Sequence, residues 1–85
     1  MEPYLGSLLL VPYNFAPQNW ALCQGQILPI NQYQALFSLI GTTYGGDGVT
    51  NFALPNLSGD KAIKDASGAA LNWVIALNGV YPSRQ

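Results

Sequence analysis

Apolar residues occur in short runs separated by proline, glycine and asparagine, and the spacing within each run predicts its element. Residues 5–11 form an apolar run held between Pro3 and Pro12. Proline at both ends and none inside fits a strand delimited by residues that cannot donate to a ladder. Residues 14–19 carry Pro17 among Asn and Gln, a turn signal. Residues 20–24 then read as a short buried strand ending in a tight turn at Gly25. One segment has helical period: Tyr33, Leu36, Phe37 and Ile40 fall at i, i+3, i+4 and i+7, with Pro29 before them and Gly41 after. The pattern predicts a helix over about residues 31–40, with Asn31 as N-cap, Gln34 returning a bond to the cap, and Gly41 just past the C-terminus.

Beyond the helix, residues 42–48 hold three glycines and an aspartate, a composition that permits positive φ and a compact surface loop. Residues 49–54 alternate and stop at Pro55, predicting a third strand, and residues 56–59 a turn. Residues 61–63 offer a short fourth strand. Residues 65–70 are small and weakly specified, residues 71–77 read as a buried strand, and Asn78-Gly79 is a turn dipeptide before an edge strand at residues 80–82. The expected architecture is α+β, a small, mainly antiparallel sheet of short strands with one helix packed on it. Trp20, Leu36, Phe37, Ile40, Phe52 and Trp73 are expected to form one core. No internal repeat divides the chain, so residues 1–85 read as one domain.

Composition changes this picture in one respect. A chain of 85 residues buries only about 60–65% of the surface that its unfolded form exposes, and domains of this size commonly need a staple. Cys23 is the only cysteine and there is no histidine, which removes an internal disulfide and a structural zinc site. Oligomerisation remains. Charged residues make up 8% of the chain, where about 25% is usual, and a net charge of −1 removes the repulsion that keeps copies apart.

The same inventory excludes several functions. Three cations cannot neutralise the several phosphates that drive nucleic-acid binding. No apolar run approaches the roughly 20 residues of a membrane span, and the N-terminus shows no secretory signal. The Gly45-Gly46-Asp47-Gly48 segment lacks the lysine and spacing of a phosphate loop, and the four dispersed acids do not make a calcium site. With no histidine, no paired carboxylates and no cation beside Cys23, the expectation is no enzyme, no cofactor and no metal. Cys23 reads as a small core residue, either free or cross-linked between subunits. Tyr13 and Tyr44 lie in loop-like segments beside Asn and Gly, a setting that suits a subunit interface or stacking on a sugar.

One family shares these residues. Asn14-Phe15-Ala16-Pro17, Trp20-Ala21-Leu22-Cys23, Gly25-Gln26 and Leu28-Pro29-Ile30 resemble the opening of the phage tail collar domain, also called the microcystin-dependent protein family. Residues 35–48 (ALFSLIGTTYGGDG) and 52–59 (FALPNLSG) are similar to its most specific signature, and residues 75–84 to its closing segment. Longer members place a Gly- and His-rich stretch between these segments, where this chain has only residues 61–70, and Asp60 stands where an arginine usually follows. The resemblance therefore implies a compact member that keeps the structural kernel. It implies a homo-oligomeric role without enzymatic activity, similar to parts of short tail fibres that contact a host surface.

Together these readings predict a self-assembling fibre subunit, extracellular or in the virion tail, whose partners are copies of itself. The assembly interface is expected at Leu5, Leu8, Leu9, Leu10, Val11 and Tyr13, with residues 1–12 as an intersubunit strand that completes a neighbour's sheet head to tail. The competing arrangement makes residues 5–11 the first strand of their own sheet. The alternative function is adhesion to host-surface saccharide through Thr42, Thr43, Tyr44 and Asp47.

Overall fold

The computed structural model describes residues 3–58 and 63–82. In chain order they form β1 (Leu8–Val11), β2 (Trp20–Leu22), β3 (Ile27–Pro29), a 3₁₀ turn (Ile30–Gln32), α1 (Gln34–Ile40), β4 (Asn51–Ala53) and β5 (Asn72–Ala76). The α+β expectation holds, with the strands divided between two antiparallel sheets, β1-β5-β2 and β3-β4. The strand expected at residues 61–63 falls outside the described residues apart from Ile63, which lies in no strand.

β5 organises the larger sheet. All three of its C-terminal residues, Val74, Ile75 and Ala76, are buried, so both of its faces are covered. Leu8 and Ala21 stand opposite Ile75 on either side, and Leu9 and Leu22 opposite Val74. Residues 5–11 thus form the first strand of the chain's own sheet, shortened because Leu5 and Gly6 turn. Ser7 N–H donates to Tyr4 C=O at 3.1 Å, and Gly6 takes φ +82°. Gly6 N–H donates to Ala76 C=O, and Ala76 N–H to Ser7 C=O. Two residues therefore face one, a glycine bulge at the entrance to β1.

The core cluster is Leu5, Cys23, Leu36, Phe52, Leu54 and Ile75, with Phe37, Ile40 and Trp73 packed against it. Trp20 departs from expectation, being half-buried and outside this cluster. The pleat explains it: Ala21 lies opposite core residue Ile75, so Trp20, opposite Ala76, points to the other face. Phe52 and Phe37 join sheet to helix, with ring centroids 5.4 Å apart.

Asn31 does not cap the helix. Ile30 N–H is held by Thr50 C=O at 3.1 Å and Tyr33 N–H closes back on Ile30 C=O at 3.0 Å. A 3₁₀ turn therefore occupies the expected first turn, and Tyr33 stands at the N-cap without a side-chain bond. At the other end Gly41 donates to Phe37 C=O and takes φ +57°, the positive φ expected of a glycine there, with ψ −143° in place of the left-handed helical value. Strand β3 was hidden in the sequence by its length and by Pro29. The Asn78-Gly79 dipeptide makes no hairpin. Instead Val80 N–H donates to Pro3 C=O and Leu5 N–H to Val80 C=O, a parallel bridge that reduces the expected edge strand to one residue.

Candidate functional site

The outer edge of β1 is the exposed backbone feature that the sequence pattern singled out. Because Ser7 C=O and Ala76 N–H bond each other, the antiparallel alternation turns the N–H and C=O of Leu9 and Val11 toward β5 and those of Leu8 and Leu10 outward. No described strand lies beyond them. Of the six residues expected at an interface, Leu5 and Val11 are buried in the chain's own interior and Leu10 is half-buried. Leu8 is 45% and Leu9 46% exposed, on opposite faces of the strand. Tyr13 is partly exposed, and its ring stacks on Phe15 with centroids 4.5 Å apart. Asn72 Nδ2 donates to Tyr13 C=O at 2.8 Å and fixes that turn to β5. The chain has no charged residue from position 3 to position 46, so the whole region is electrostatically neutral.

The second candidate region is the loop 42–48. Asp47 is spent on the loop itself: one carboxylate oxygen accepts from the N–H groups of Val49, Thr50 and Asn51 at 2.8, 2.8 and 3.1 Å, and the other from Thr50 Oγ1 at 2.8 Å. Asn51 Oδ1 accepts from Asp47 N–H at 2.9 Å. Three backbone donors hold the carboxyl well below the usual carboxylate range. Thr42, Thr43 and Tyr44 are exposed, but Asp47 offers its oxygens inward. Beside the loop, Pro29, Ile30, Asn31, Gln34, Val49 and Thr50 line a shallow groove of about 450 Å³. Asn31 and Gln34 are free to line it because neither caps the helix.

Sequence reasoning passed over Phe15, Ile27 and Val49, which are 60%, 56% and 80% exposed. Their signal is weak, since each reads from pattern as an ordinary buried residue of a turn or strand. Cys23 is 2% exposed and burial pushes its thiol up to about 11, so it is a core residue out of reach of a disulfide between subunits. Among the described residues no three metal-ligating side chains gather, and no helix is long and apolar enough to cross a membrane.

The family model of the phage tail collar domain matches residues 6–61, a span that contains β1, the bulge-to-turn segment, the helix and the loop 42–48. The chain belongs to the phage tail collar domain family. Comparison with curated proteins and with solved structures returns no match. The collar domain is a structural domain of phage tails, and the matched span accounts for four of the five strands described above. In this collar domain β5, which lies beyond the matched span, supplies the central strand of the larger sheet.

Proposed function

We propose that this collar domain is a non-enzymatic, homo-oligomeric structural subunit of a tail fibre or extracellular fibre, and that its copies join through the outer edge of β1. The observation that carries the reading is that edge: four residues with no internal proline, no charge, and leucine exposed on both faces. Unpaired edges of this kind template the addition of another strand unless Lys, Pro or a covering loop blunts them. The neutral stretch from residue 3 to residue 46 sets no repulsion against a second copy. Sedimentation and negative-stain microscopy of the purified chain test it, with assemblies expected for the native sequence. Leu9→Lys places a charge on the edge without touching the core, and should leave a folded monomer. A native chain that sediments as a monomer at every concentration overturns the reading.

A second reading has the groove beside loop 42–48 bind host-surface saccharide. The amides of Asn31 and Gln34 and the hydroxyl of Thr50 supply neutral donors and acceptors there, and Val49 an apolar wall. Chemical-shift changes at these residues on titration with surface glycans, retained in the Leu9→Lys variant, would favour it.

A further inference from the structure

We infer that the β1 contact is closed and twofold: β1 of one copy pairs antiparallel with β1 of a second, centred on Leu9. The proposal rests on the reading that copies join through β1 and names the partner edge. It replaces the head-to-tail arrangement that the sequence suggested.

Among the described residues, every other sheet edge is engaged or incomplete. The outer edge of β2 is partly engaged by its own chain, since Trp20 N–H donates to Pro17 C=O and Leu22 C=O accepts from Gln24 N–H and Gln26 Nε2. The outer edge of β4 is covered by loop 42–48, through Ala53 N–H to Gly45 C=O and Gly48 N–H to Asn51 C=O. The outer edge of β3 is three residues long and ends in Pro29, which has no N–H to give. Only β1 presents a complete edge, so the edge that complements it on a second copy is β1 again. An interface that uses the same patch twice closes as a dimer. The antiparallel sense follows, because in a parallel ladder the bonds are staggered and the two strands are not equivalent.

The register follows from which groups point outward. Leu8 and Leu10 carry the outward N–H and C=O, so Leu8 pairs with Leu10 of the second copy and Leu10 with Leu8. Four backbone hydrogen bonds form, and the two Leu9 residues stand opposite each other in the closely spaced, non-hydrogen-bonded position. The result is one continuous six-stranded sheet with β1 strands at its centre, and the exposed Leu8 and Leu9 side chains gain cross-strand partners.

Cysteine scanning by mild oxidation tests it, and Cys23 need not be replaced because its thiol is buried. In the proposed register the Leu9 pair has Cα atoms about 4.5 Å apart, within disulfide reach, whereas one Leu8 lies diagonal to the other at about 7–8 Å. Leu9→Cys should therefore convert most of the chain to a covalent dimer, with Leu8→Cys and the native chain staying near background. Equal cross-linking at both positions, or at neither, in a chain that sedimentation shows to be oligomeric overturns the twofold contact and leaves self-assembly standing. A chain that is monomeric by sedimentation and uncross-linked overturns both.

Discussion

Asp47 illustrates how one side chain ties a loop to the strand that follows it. Its carboxylate accepts from three successive N–H groups while ionised, so the folded form holds its proton less tightly than the unfolded one. A depressed pKa contributes stability that is fully present above the unfolded value, near pH 4, and is lost as pH falls below it. Acid melting of the native chain should therefore include a component that Asp47→Ala lacks. Equal loss of Tm in both on going from neutral to acid pH would contradict this. Asp65 accepts from Ser67 N–H and Oγ and from Ala69 N–H, so the segment expected to be weakly specified is a stapled turn, and it contributes in the same direction. Gly46 is the glycine that the loop cannot replace: at φ +93° a Cβ would meet Phe52 Cα and lie 2.9 Å from Asn51 O. Gly46→Ala should cost about 1–3 kcal/mol, measured by chemical denaturation. The glycine content of this loop was legible in the sequence. That the Asp47 carboxylate accepts four hydrogen bonds from the loop itself was not, because the composition does not say where the backbone donors lie.

At the scale of elements, periodicity located what is buried better than where each element begins. The helix stripe of Leu36, Phe37 and Ile40 does face the core, yet a tertiary bond, Ile30 N–H to Thr50 C=O, overrides the local capping preference and delays α1 to Gln34. Likewise the pleat removed Trp20 from the core, a consequence of register that a run of apolar residues does not reveal. The central burden falls on Phe52, 0% exposed, with Phe37 half-buried beside it. Phe52→Ala should cost about 3–5 kcal/mol, enough to unfold a domain this small, and Phe37→Ala less. A Phe37→Ala variant that melts below Phe52→Ala would reverse that order. β1 carries a double load, since its inner edge and the buried Leu5 and Val11 belong to the chain's own fold. Deleting residues 1–11 is therefore expected to abolish cooperative melting, and a truncated chain with an intact transition would show that β5 does not need β1.

For the whole molecule, a small core and an apolar surface are two aspects of one composition. Eleven large hydrophobic side chains among the described residues are exposed, from Tyr4 to Tyr81, while the chain has three cations and four anions to keep copies apart. Such a surface suits the association proposed above, which would supply the staple that a chain with one cysteine and no histidine lacks. On the proposed reading, association and folding are one equilibrium. If the folded state is a dimer and the unfolded state a single chain, a tenfold rise in concentration stabilises each chain by about 0.7 kcal/mol, half of the tenfold free energy. For a domain of this size that raises Tm by about 3–5 °C. Scanning calorimetry over a dilution series measures it directly, and Leu9→Lys, which blocks the β1 edge, should melt at one temperature throughout. A native Tm that is independent of concentration while assemblies persist would mean that the collar domain folds first and associates as a finished unit, with its stability supplied by the Phe52 and Leu36 core alone.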